Sequence, residues 1–79
     1  MFYVYVLLSR KTGRRYVGSC QDVTERLGRH NAGHGKATRH GVPWVVIHTE
    51  RFATRSEAVR RERYLKTGKG REELSELAG

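Results

Sequence analysis

Phe2-Tyr3-Val4-Tyr5-Val6-Leu7-Leu8, followed after a polar gap by Arg15-Tyr16-Val17-Gly18-Ser19, reads as two strands of a β-hairpin. Both segments are rich in aromatic and β-branched residues, which suit a pleated surface. Ser9 to Arg14 between them is polar, contains Gly13, and is short enough to turn the chain. Successive strand residues point to opposite faces. Tyr3, Tyr5 and Leu7 therefore share one face, and Phe2, Val4, Val6 and Leu8 share the other. The second set is wholly apolar and is the expected core face. A register placing Leu7 opposite Tyr16 would bring Tyr5 and Tyr16 together beside the bare backbone of Gly18. A slip of one residue would part them.

Asp22 is placed to cap a helix from about Val23 to Ala32, with Glu25 completing a capping-box pattern and Gly33 ending the helix. Val23, Arg26, Leu27 and His30 follow the i, i+3, i+4, i+7 template of one face. Two of the four are polar, so this face serves more than a core. Gly33 to Pro43 is a long loop with no apolar periodicity, and long loops in small domains often carry function. Trp44 to Thr49 reads as a third strand, and its apolar run suggests a central position or cover on both faces. Thr54 or Ser56 can cap a second helix ending near Thr67. On it Ala58, Glu62 and Leu65 share the inward face. Arg60, Arg61 and Arg63 are expected outside, as a solvated or phosphate-facing surface. Arg71 to Ala78 can add a last short helix. The expected order is β-β-α-β-α, with that third helix optional, and the fold class is α/β of the α+β kind.

The chain has 79 residues, enough for one domain spanning 1–79, and carries 16 Lys and Arg against 8 Asp and Glu, a net charge of +8. Such an excess points to a polyanion, most often nucleic acid. The lone Cys20 can form no internal disulfide, which fits a reducing cytoplasm. No apolar run approaches the length of about 20 residues that crosses a bilayer, and the order of apolar and basic residues at the start is not that of a signal peptide.

Phosphodiester hydrolysis needs a grip on the polyanion, charge neutralisation at phosphorus, a proton acceptor for water and help for the leaving alkoxide. Arginine clamps phosphate oxygens; a carboxylate can hold one Mg²⁺ or Mn²⁺; a phenol or imidazole can relay a proton. Tyr5, Tyr16, Arg26, His30, Glu62 and Lys66 supply these parts. The bland readings are ordinary sheet tyrosines, a solvated edge at Arg26 and His30, and a structural ion pair of Glu62 with Arg26 or Lys66. His30 and His34 make a poor zinc pair, because glycines flank His34.

Tyr3-Val4-Tyr5, Tyr16-Val17-Gly18, Arg26, His30-Asn31 and Glu62, in that order, resemble the GIY-YIG nuclease superfamily, closest to its small stand-alone bacterial members akin to the N-terminal domain of excinuclease C. The resemblance covers Phe2 to about Lys66. It implies a three-stranded antiparallel sheet flanked by helices and cleavage of DNA with one divalent ion, Mg²⁺ or Mn²⁺. It assigns Tyr5 and Tyr16 to the two tyrosine motifs, one of them acting as general base or positioning the water. It assigns Arg26 to the phosphate, His30 to a proton relay, and Glu62 to the metal. Arg14, Arg15, Lys36, Arg39 and Lys66 are the expected nucleic-acid contacts. Tyr3 replaces the first motif's glycine, and no asparagine follows Asn31 where many family nucleases carry one. The expected activity is structure-directed DNA cleavage in repair or processing. The alternatives are a non-catalytic module gripping DNA or RNA beside a protein partner, and an adaptor docked on a repair or ribosomal complex.

Overall fold

A computed structural model describes residues 1–78. The order is β1 (Phe2–Ser9), β2 (Arg15–Cys20), α1 (Val23–Asn31), a 3₁₀ turn (Arg39–Gly41), β3 (Trp44–Phe52), α2 (Arg55–Leu65) and α3 (Gly68–Ala78). The three strands form one antiparallel sheet in the order β2-β1-β3. This is the expected α+β architecture, with the optional third helix formed.

The hairpin register pairs Leu7 with Tyr16 and Tyr5 with Gly18, so the two tyrosines do share a face. That face is not bare. Val4, Val6 and Val17 pack with Ala58 and Leu65 of α2 and Leu74 of α3 on one side of the sheet. Tyr5, Leu7, Cys20 and Trp44 pack with Val23 and Leu27 of α1 on the other. The sheet is the middle of three layers, and the expectation of a single core face is corrected: Tyr5 and Leu7 are as buried as Val4 and Val6.

β3 is an edge strand; the central one is β1. The apolar run in β3 answers to the other expectation, cover on both faces. Its register shifts between Val6 and Leu7, skipping Ile47. Val46 then packs into the α1 layer and Ile47 into the α2 layer. Neighbouring strand residues point to opposite faces, and both faces of β3 are covered; the bulge leaves Ile47 outside the ladder with β1.

Local signals set the helix ends. Asp22 accepts from the Glu25 amide, but the Glu25 carboxylate turns to Arg29, 3.7 Å away, rather than closing a capping box. The complete box is in α2, between Thr54 and Glu57. Beyond α1, Gly33 has φ +82°, the left-handed conformation glycine adopts without strain. Among the described residues no helix is long and apolar enough to cross a membrane.

Candidate active site

Tyr5 stands at the centre. Its phenol lies over Gly18, where an added Cβ would come within 2.5 Å of the hydroxyl oxygen. Only glycine leaves that space. The hydroxyl is 3.0 Å from His30 Nε2, and His30 Nδ1 is 2.7 Å from Thr38 Oγ1. All three residues are buried. A neutral imidazole donates from one nitrogen and accepts at the other, so Tyr5, His30 and Thr38 form a satisfied chain. Both ring nitrogens of His30 are engaged, which leaves none for a metal. Tyr16 is half-buried, with its ring centroid 5.0 Å from that of His30 and 6.4 Å from that of Tyr5.

Burial pushes the Tyr5 phenol well above the ordinary tyrosine range; the neighbouring Tyr16 adds to this and Arg26 opposes it. Burial also lowers His30, helped by Arg26 and Arg29. The imidazole is therefore neutral near pH 7. Arg26 projects from α1 into the same layer, where its charge acts on Tyr5, Cys20 and His30. Its Nε is buried without a hydrogen-bond partner among the described residues. Such a group is costly unless something else satisfies it.

Glu62 arrives from the other layer. Ser19 Oγ donates to its Oε1 at 2.6 Å, and Lys66 Nζ donates to its Oε2 at 2.7 Å. Its side chain is 21% exposed. Arg26, one of the two ion-pair partners weighed from sequence, is not bonded to it; Lys66 is. The Lys66 ammonium also lies 6.0 Å from the Tyr16 ring centroid. Ser19 and Tyr16 are three apart on β2 and so point to opposite faces. The tyrosines and Glu62 thus flank the same outer strand from either side, and Lys66 spans the two sets.

The other expected contacts divide. Arg14, Arg15 and Lys66 line a cleft of about 740 Å³ that includes Tyr16. Lys36 and Arg39 are exposed on the loop after α1 and do not line it. Arg61 is not an outward cation. It donates to both oxygens of Glu50, at 2.7 and 3.1 Å, and also to Glu73, while His48 Nε2 lies 2.8 Å from Glu50. Arg60 and Arg63 are exposed as expected. Asn31 is structural: its side-chain amide brackets the backbone of Trp44, accepting at 2.7 Å and donating at 3.1 Å.

Sequence reasoning missed two groups. Thr38 had no periodic signal, because it lies in a glycine-rich loop. Ser19 had one: it follows Val17 by two on the face that meets α2.

A single carboxylate with water and phosphate oxygens is a donor set that suits Mg²⁺ or Mn²⁺. The Lys66 and Ser19 bonds leave lone pairs free on the Glu62 oxygens. Among the described residues no group of three or more His, Cys, Asp and Glu is placed to cage an ion. The residues therefore fit a one-carboxylate, water-rich site.

The fold is that of a small α+β domain built on one antiparallel sheet. The GIY-YIG catalytic domain matches residues 1–74, and the chain belongs to this family, a nuclease superfamily whose substrates are nucleic acids. It is 45% identical over 67 residues to a UPF0213 protein of Halobacterium salinarum, covering 84% of this chain and 86% of that one. It is 41% identical over 66 residues to a UPF0213 protein of Staphylococcus haemolyticus, covering 82% and 79%. A solution NMR structure of a UPF0213 protein from Bacillus halodurans superposes with a TM-score of 0.59 at 36% identity, covering 100% of this chain and 87% of that one.

Proposed function

We propose that this protein is a metal-dependent DNA endonuclease that hydrolyses phosphodiester bonds, directed by DNA structure rather than by base sequence and acting in repair or processing. The observation that carries this reading is Arg26: a guanidinium with a buried, unpartnered Nε, set beside Tyr5 and His30. A phosphate is the ligand that the fork of this guanidinium is built to clamp.

Glu62 would hold one Mg²⁺ or Mn²⁺, and that ion would supply Lewis-acid polarisation of the phosphate and charge stabilisation for the leaving oxygen. Arg26 neutralises charge that develops on the phosphoryl oxygens. Tyr5, kept protonated by burial, fixes His30 in place, and His30 passes hydrogen-bond polarity between Tyr5 and Thr38. Tyr16 is the phenol that solvent reaches, and it orients or deprotonates the attacking water. Lys66 holds Glu62 and meets the phosphate.

One observation favours a second reading. Both Glu62 oxygens already have partners, in Ser19 and Lys66. A nucleic-acid grip without cleavage, working beside a protein partner that supplies specificity, needs no more than that.

Purified protein incubated with Mg²⁺ or Mn²⁺ and supercoiled, single-stranded, flapped and four-way-junction DNA separates the two. Metal-dependent cleavage that falls by about 100-fold or more in Glu62→Gln, with binding retained, supports the nuclease. Binding with no cleavage of any substrate, unchanged in Glu62→Gln, overturns it in favour of the grip.

A further inference from the structure

The cleft that includes Tyr16 and Lys66 extends away from the Tyr5–His30–Thr38 chain. Its far wall is α3, which presents Arg71 and Ser75. Its near wall is the end of the hairpin, with Arg14 and Arg15. The Arg15 guanidinium reaches Ser75 Oγ at 3.5 Å, linking the two walls. Four cations line the cleft and, among the described residues, no carboxylate does. Of the four, only Lys66 makes an ion pair among the described residues. Arg14, Arg15 and Arg71 are exposed, so three guanidiniums line one cleft with no ion-pair partner among the described residues. The second cavity, on α2, has a different character: Glu57 and Glu73 accompany its two arginines.

Beneath the cations lie Val17, Leu65 and Leu74, whose side chains are buried, so the aromatic face that the cleft offers is that of the half-buried Tyr16. A rim of cations beside a tyrosine ring is matched to one kind of polyanion. A duplex turns its phosphates outward and stacks its bases away; it would use the rim and leave the ring unused. An unpaired strand offers phosphates to the rim and a free base face to the Tyr16 ring.

We infer that this cleft is the binding site for an unpaired nucleic-acid strand beside the phosphate to be cut, with Arg71 of α3 as a phosphate contact. The inference rests on the proposed nuclease only for which bond is cut, not for the binding itself.

The test is binding in EDTA, where cleavage plays no part. Fluorescence anisotropy is measured with a labelled oligothymidylate and with a labelled blunt duplex of equal length. Arg71→Glu and Ser75→Glu each put a negative charge on the α3 wall at an exposed position. Each weakens oligothymidylate binding by about tenfold, and the slope of log affinity against log salt falls by about one in Arg71→Glu. Arg60→Glu, the same charge change in the other cavity, alters it by less than about twofold. Far-UV circular dichroism establishes that each variant folds. Oligothymidylate binding at wild-type strength in both α3 variants overturns the inference. So does a loss that is equal for duplex and single strand and is matched by Arg60→Glu. A failed nuclease reading shows itself separately, as absent cleavage in Mg²⁺ with this binding pattern intact.

Discussion

The Tyr5 hydroxyl lies 2.5 Å from where a β-carbon on residue 18 would stand, too close for both to be there. Gly18→Ala forces Tyr5 out of line with His30. The expected cost is about 1–3 kcal/mol, the range for overpacking a filled core, read from urea unfolding. Cleavage falls by more than about tenfold. An alanine variant of wild-type stability and activity would show that the phenol has another place to go.

Thr38 holds the far side of the His30 ring at 2.7 Å. Thr38→Val keeps the shape and leaves Nδ1 unsatisfied, so the fold loses about 1–3 kcal/mol. Thr38→Ser restores most of it. The pH–rate profile moves in the valine variant and returns with serine. A packing role alone would lower stability and leave the profile where it was.

Arg26 is the reverse case. Removing a buried donor that has no partner relieves strain in the ledger of polar groups. Arg26→Met is expected to raise stability by about 1 kcal/mol while cleavage is lost. A drop in the unfolding midpoint would mean that Arg26 is a structural residue and not an anion site.

Stability should fall at both ends of the pH scale for reasons located in this chain. His30 is held below its ordinary value of 6.5 by burial and then by Arg26 and Arg29. Below about pH 6.5 the unfolded chain takes up a proton that the folded chain refuses, so stability declines as pH falls. Tyr5 is raised above its ordinary 10.0 by burial. Above about pH 10 the unfolded phenol ionises and the folded one does not, so stability declines again as pH rises. Urea midpoints across pH show both limbs; His30→Gln flattens the acid one and Tyr5→Phe the alkaline one.

Arg61 joins Glu50 and Glu73 across the α2 layer, with side chains 24%, 21% and 36% exposed. Arg61→Ala leaves two carboxylates facing each other. The expected loss is about 1–2 kcal/mol, between the values for exposed and buried pairs. Oligothymidylate binding changes little, because this arginine faces its own protein. A large loss of binding with intact stability would return it to the nucleic-acid surface.

The hairpin was legible because alternation and a short loop together allow few registers, and Leu7 opposite Tyr16 was among them. The position of β3 was not, since an apolar run is the same whether a strand is central or bulged at an edge. Arg61 could have been read. It falls three after Ala58 and four before Leu65, on the same template that singled out Glu62. The bond from Ser19 to Glu62 could not, because it joins residues 43 apart, and nothing local in either segment marks the other. The same holds for Thr38, whose part depends on how the loop folds back over His30.

β2 is hydrogen-bonded on one side only, and both halves of the site lean on it. An outer strand is the first part of a sheet to fray on warming. Once β2 loosens, Gly18 leaves Tyr5 and Ser19 leaves Glu62 in the same event, while β1, β3 and the helices are still folded. Loss of function on heating should therefore precede melting: the protein would be a thermometer of its own margin, switched off before it comes apart.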